Sequence, residues 1–545
     1  MKLDTIEGGR NVARGLALFL LAICPVAGAT TYTVKAGQSS STIQRVIRGV
    51  SAGDTVSFDA GTYTITRGLD LKCGVTYTGP VATPATAILA STTGQANAIF
   101  NLYSGTGYVN PCKEKTTIQY LNFKGSGGIY VQTSFTNLII QHNQFTHIPC
   151  CQAYPVPSTV GITFDGSQSS SNTAQNLTNT LVQWNTFGDA ASCISPTNIL
   201  TNTDSPETNQ SACGGIIVAT TLDGLTINNN NFYHLGEGVH VTCPGGGHPG
   251  GGDPPPGTSS QPCEVTQNGV ITNNLKVWYN DFSYIHRMPW EQQPQNTTNV
   301  DFQYNSIHDW INPYYGSFGV SFACCGEGTS ATTNVSNNVI VLNTTPQGRY
   351  GYGSEDWGGA ATYLNNWVGT GNFKSGAPGM AWGYGSPAKM SYNTVCGGGF
   401  ASAGHIVSEG YDRVPPPIQT GNVTASTCSP VTSAAPDISP PSGPQTFPLT
   451  VTLTIPRQNT GPYPQDNTGI WYTKDGSTPT PGSGTAQYLA SGGKFVLEAP
   501  ATIKAVGMWG APNQPTSYPA GYGFIPSAVK STHYTSGVAS QQRPR

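Results

Sequence analysis

The sequence predicts an all-β chain: a right-handed parallel β-helix with an N-terminal capping helix, followed by a small β-sandwich. Three observations predict it. First, a short phrase of Asn, any residue and a large apolar residue keeps returning, as Asn143-Gln-Phe145, Asn185-Thr-Phe187, Asn230-Asn-Phe232, Asn280-Asp-Phe282 and Asn305-Ser-Ile307. Looser copies follow at Asn338, Asn366 and Asn393, and successive anchors lie between 25 and 50 residues apart. Self-similarity at that period marks a solenoid. Second, the segments between anchors alternate with period two, as in Leu138-Ile-Ile-Gln141 and Val300-Asp-Phe-Gln303, and no copy carries an amphipathic helix. Third, charge is sparse at 9%, while 67 Gly and 41 Pro supply frequent corners. An Asn repeated at one bend of every coil can hydrogen-bond along the stack and satisfy backbone groups there.

Taken in order, residues 1–29 read as a secretory signal. Lys2, Arg10 and Arg14 give the basic start, Leu16 to Val26 the apolar core, and Ala27-Gly-Ala29 the small-residue cleavage site. The apolar run is too short to span a membrane. Residues 30–428 form the solenoid. In its first part Ser41-Thr-Ile-Gln44 matches a capping box, and Ile43, Val46, Ile47 and Val50 share one helical face that can close the apolar end of the stack. Many coils then carry a strand opened by Gly, such as Gly161-Ile-Thr-Phe164, Gly215-Ile-Ile-Val218, Gly238-Val-His-Val241 and Gly319-Val-Ser-Phe322. Residues 429–446 are Pro/Ser-rich and read as a linker. Residues 447–534 hold strands without the Asn phrase, such as Leu449-Thr-Val-Thr-Leu-Thr454, and suggest a small antiparallel sandwich. Residues 535–545 read as a disordered tail.

The opening, Gly53-Asp-Thr-Val56, Gly61-Thr-Tyr63, Leu69, Leu71, Gly74-Val75 and Gly79, resembles the start of the pectate-lyase-like superfamily of right-handed parallel β-helix proteins. With the later Asn repeats the resemblance covers roughly residues 31–428. It implies the fold and leaves the chemistry open, because that superfamily holds polysaccharide lyases, glycoside hydrolases, esterases, epimerases and adhesins. Ile438-Ser-Pro-Pro-Ser-Gly443, Tyr472-Thr-Lys-Asp-Gly-Ser-Thr-Pro479 and Thr502-Ile-Lys-Ala505 resemble the immunoglobulin-like C-terminal domain of chitobiase and β-hexosaminidase enzymes, which implies an immunoglobulin-like accessory module acting as a spacer or a carbohydrate binder.

Of the 13 cysteines, Cys24 falls in the signal, and the even number left fits disulfides in an exported chain. Cys193–Cys213 and Cys243–Cys263 each bracket an insertion and are the expected pairs. Asn176, Asn209, Asn296, Asn334, Asn343 and Asn422 open glycosylation sequons. The formal net charge of −3 gives no reason to expect nucleic acid or an anionic membrane as partner. No cysteine or histidine spacing suggests a metal site, and no cofactor is expected. A secreted monomer acting on a polysaccharide is the expectation.

Chemistry must come from side chains on the outside of the solenoid. In Gly238-Val-His-Val241 the two valines fill the core and His240 faces out. Counting from the anchors, Phe232 to Val239 and Phe282 to Trp290 nearly match, so Glu291 falls beside His240 and Trp290 beside Val239. Gly319-Val-Ser-Phe322 adds Ser321, and Ser354-Glu-Asp-Trp357 adds Glu355 or Asp356. Four successive coils then carry a polar row. Glu291 and Glu355 or Asp356, two coils apart, would lie about 10 Å from one another. Inverting glycosidases hold two carboxyls about 6.5–9.5 Å apart. Such a pair can protonate a leaving oxygen, with Glu291 the expected acid, and activate a water. His240 and Arg287 can tune Glu291 or grip an acidic sugar, and an Arg287–Glu291 ion pair is the structural alternative. Trp290, Trp310, Tyr314, Tyr315 and Trp357 crowd the same coils as candidate sugar platforms, although the register turns Trp290 toward the core. His286 and His308 read as packing residues.

The expectation is a glycan-cleaving enzyme, with hydrolysis ahead of β-elimination by a lyase. A lyase would use Arg287, His240 or Lys276, and the sequence offers no acidic cluster for calcium outside Ser354-Glu-Asp356. A non-catalytic adhesin or carbohydrate-binding protein is the alternative from another class.

Overall fold

The computed structural model describes residues 28–91, 98–103, 112–132, 134–148, 160–165, 176–188, 214–241, 272–292, 297–310, 317–322, 333–342, 351–356, 361–370, 380–382, 389–396, 407–409, 418–425, 431–456, 469–480, 485–489, 491–508 and 524–537. The strands from Thr31 to Ala425 pair only in parallel, each with the strand one coil away. They stack on three faces of a right-handed parallel β-helix. One face is a 14-stranded sheet running from Thr31–Val34 to Ile418–Thr420. A second runs from Gly61–Ile65 to Val423–Ala425, and a third from Leu69–Asp70 to Val407–Glu409. The second and third join where two long strands, Asn231–Val241 and Asp281–Gln292, run across the corner between them.

The Asn phrase is a ladder. The Asn143 side chain donates from Nδ2 to Asn185 Oδ1 at 3.1 Å and to the Ile118 carbonyl at 2.9 Å, while its backbone N–H donates to the same Asn185 Oδ1 at 2.9 Å. Asn185, Asn230, Asn280, Asn305, Asn338 and Asn366 repeat the pattern on the next coil's anchor. Asn393 closes it onto Asn422, a rung the phrase count stops short of. Asn422 also opens a sequon, yet its Nδ2 donates to the Met390 carbonyl at 2.9 Å, so the ladder claims the atom a glycan would need. The residue before each anchor is left-handed, from His142 at φ 55° and Trp184 at 57° to Tyr392 at 56°. That residue turns the corner, and the anchor side chain satisfies the backbone groups the corner strands.

The apolar member of the phrase points inward. Phe123, Phe145, Phe187, Phe232 and Phe282 stack face to face down the lumen, with successive centroids 4.6–5.0 Å apart. Ile307, Ile340, Val368 and Val395 continue that line in register. The recurrent glycines lie against these rings: a Cβ at Gly215 would meet Phe232 at 2.5 Å, and one at Gly161 would meet Phe187 at 2.7 Å.

The capping helix spans Ser40–Gly49 and buries Ile43 and Ile47. Its N-cap is Ser39, whose Oγ accepts from Thr42 N at 3.3 Å, two residues before the capping box expected at Ser41. Gln44 instead bonds the first coil, donating to the Asp70 carbonyl at 2.9 Å and accepting from Asp70 N at 2.8 Å. An edge strand with open backbone groups outcompetes a local cap for that amide.

Beyond the solenoid, two sheets share a second apolar cluster around Val451, Leu453, Ile470 and Ile503. Asp437–Ser439, Leu449–Thr454 and Lys494–Leu497 make one sheet. Gly443–Gln445, Lys530–Ser536, Thr502–Met508, Gly469–Thr473 and Gln487–Leu489 make the other. Asp437–Ser439 and Gly443–Gln445 come from the stretch read as linker, so that stretch supplies strands to the sandwich. A disulfide joins Cys73 and Cys112, and Cys396 is disulfide-bonded as well. The expected pairs Cys193–Cys213 and Cys243–Cys263 lie outside the described residues. Among the described residues no helix is long and apolar enough to cross a membrane.

Candidate functional site

Strand pairing on the third face tests the expected row directly. Ile217 pairs with His240, His240 with Glu291, Glu291 with Ser321, and Ser321 with Glu355. The four residues named from sequence occupy one line on four consecutive coils. Asp356 falls one position on, in the line of Val241 and Gln292, so Glu355 is the carboxylate that shares the row. For His286, Arg287, Asp309, Trp310, Ser321, Glu355 and Asp356 the structure describes the backbone alone. Tyr314, Tyr315 and Trp357 lie outside the described residues.

Alternation sets the direction of each side chain. Val239, Trp290 and Val320 occupy the line before the row, and all three belong to the solenoid core. Trp290 is fully buried, with its ring 5.3 Å from that of Phe302. A ring enclosed in the lumen cannot stack on a sugar, which removes Trp290 from the platforms and bears out the inward register. His240 and Glu291 point the other way, out from the lumen. They are nonetheless only 1% exposed each.

A third group meets them there. Glu237, 2% exposed, brings Oε2 to 3.1 Å from His240 Nδ1, and Glu291 Oε2 lies 3.6 Å from the same nitrogen. Glu237 was not singled out from sequence. It pairs with Met288, and the register shifts between Leu235 and Glu237. The shift leaves one more residue on the Asp281–Gln292 strand than on Asn231–Val241. That surplus is visible in the unequal counts from Phe232 to Val239 and from Phe282 to Trp290, but its consequence for Glu237 needs the folded bulge.

A second buried pair lies on the second face. His308 Nε2 lies 3.1 Å from Asp281 Oδ1 on the adjacent coil, consistent with a packing role for His308. Asp165 accepts from the Tyr130 hydroxyl at 2.5 Å, and burial followed by that carboxylate pushes the Tyr130 phenol up. Cys73, Cys112 and Glu114 also cluster, but the disulfide leaves no thiolate to bind an ion.

No family model matches the chain, and no curated protein matches it. Among solved structures, it is similar to PfbA, a surface adhesin of Streptococcus pneumoniae, at 14% identity over 73% of this chain and 89% of that one, with a TM-score of 0.40. It is similar to the PL6 family polysaccharide lyase Pedsa3628 from Pseudopedobacter saltans at 12% identity over 72% and 92% of the two chains, with a TM-score of 0.33. A Family 28 exopolygalacturonase of Yersinia enterocolitica follows at 11% identity over 73% and 78%, with a TM-score of 0.34. By its own three parallel faces, Asn ladder and capping helix, the chain has a right-handed parallel β-helix fold.

Proposed function

We propose that this protein is an exported carbohydrate-active enzyme that hydrolyses glycosidic bonds in a polysaccharide, with Glu291 and Glu355 as its carboxyl pair. One observation carries the reading: His240, Glu291, Ser321 and Glu355 share a register line on four consecutive coils. Strands stack about 4.8 Å apart, so the two glutamates start about 10 Å apart at the backbone. Side chains leaning toward one another bring such a pair into the range of about 6.5–9.5 Å that leaves space for a water. One carboxyl then protonates the leaving oxygen while the other activates the water. The disulfides fit an oxidising compartment.

The test is incubation with neutral and uronate polysaccharides, reading reducing ends and the absorbance of an unsaturated product. Hydrolysis gives reducing ends without absorbance. Absorbance would transfer the protein to the lyases, and binding without either signal would make it an adhesin or carbohydrate-binding protein. Glu291→Gln and Glu355→Gln should each lower kcat by about 10²- to 10⁴-fold. Full activity in either variant would remove that residue from the mechanism.

A further inference from the structure

We infer that Glu237, His240 and Glu291 form a binding site for a divalent transition-metal ion of the zinc type. One imidazole nitrogen and two carboxylate oxygens lie within 4.8 Å of one another. Ligands bound to one zinc at about 2.0–2.2 Å, at angles near those of a tetrahedron or octahedron, stand about 3.0–3.5 Å apart. From His240 Nδ1, Glu237 Oε2 at 3.1 Å falls within that range and Glu291 Oε2 at 3.6 Å lies just beyond it, so a small inward movement of Glu291 would gather the three donors around a common point.

Burial separates this cluster from ordinary surface acids. All three residues are 2% exposed or less. A dication placed between them would attract both carboxylates at once. The donor set also selects the ion. An imidazole with two carboxylates suits zinc or manganese, whereas calcium takes six to eight oxygens. The frame is rigid, because His240 and Glu291 sit opposite one another on neighbouring ladder strands rather than on loops.

The site stands on its own geometry and not on the hydrolytic reading. The experiment uses the full chain, stripped with chelator and dialysed against zinc chloride. Elemental analysis and titration calorimetry should find one equivalent bound at this site, and Glu237→Gln and Glu291→Gln should each weaken it more than tenfold. Glu355→Gln, two coils away, should leave zinc affinity unchanged. X-ray absorption of the zinc-loaded wild type should show nitrogen and oxygen ligands without sulfur, which decides the question even where a variant fails to fold. No stoichiometric zinc, sulfur ligation, or unchanged affinity in both ligand variants would overturn the site. Activity enters none of these readouts, so a protein that takes up no zinc sinks the metal site alone and leaves the hydrolytic reading to its own test.

Discussion

His142 shows how much one position can carry. It is left-handed, it precedes a ladder asparagine, and its ring lies between Tyr120 and Trp184, with centroids 4.9 and 6.2 Å away and planes within 9° of parallel. A side chain on a left-handed residue is strained, and the stack helps offset that strain. Burial lowers the His142 pKa from its ordinary 6.5. The unfolded chain therefore binds the proton more readily than the folded one. The stability this neutral ring contributes is complete above about pH 6.5 and is lost as pH falls below it toward the depressed folded value. Thermal unfolding of the wild type should drop more between pH 7 and 5 than that of His142→Phe; equal slopes would contradict the assignment. Nothing in the sequence marks His142 as a stacking residue, because its partners come from the coils before and after.

At the scale of the element, the ladder makes each anchor serve two coils. Removing the Asn280 side chain deprives Asn230 N of its acceptor and Asn230 Nδ2 of one of its two, takes the Nδ2 donor from the Ile227 carbonyl, and leaves Asn305 Oδ1 with the Asn280 backbone N–H alone. Each buried group left unsatisfied costs about 1–3 kcal/mol. Asn280→Ala should therefore destabilise the solenoid by about 3 kcal/mol or more in urea unfolding, and Asn422→Ala, at the half-exposed last rung, by about 1 kcal/mol. Equal costs would mean the ladder does not transmit from coil to coil. The anchors were legible because spacing and apolar context repeat. Asn422 escaped because its successor in the phrase, Thr424, is polar. The helix cap was misplaced by two residues because Gln44 answers to Asp70 on the first coil, a partner 26 residues away.

Among the described residues the buried core falls into two apolar clusters, one from Val34 to Val395 and one from Ala434 to Tyr534. Between the two units the Tyr488 hydroxyl donates to the Tyr279 hydroxyl at 3.2 Å, and Tyr279 in turn stacks on Tyr304. The Tyr279 and Tyr488 rings also meet edge to face with centroids 6.0 Å apart, yet the two apolar clusters remain separate among the described residues. Calorimetry should resolve two transitions, and a single one would show that the sandwich and solenoid unfold together. Sequence alone determined the solenoid, its cap and the line through His240, Glu291 and Ser321, because a stack of equal coils turns counting along the chain into position in space. Only the tertiary structure decided that Glu355 rather than Asp356 shares that line, that Trp290 fills the lumen, and that Glu237 closes on His240. Those outcomes depend on a register shift and on burial, which arise where neighbouring coils meet and leave no period in the chain.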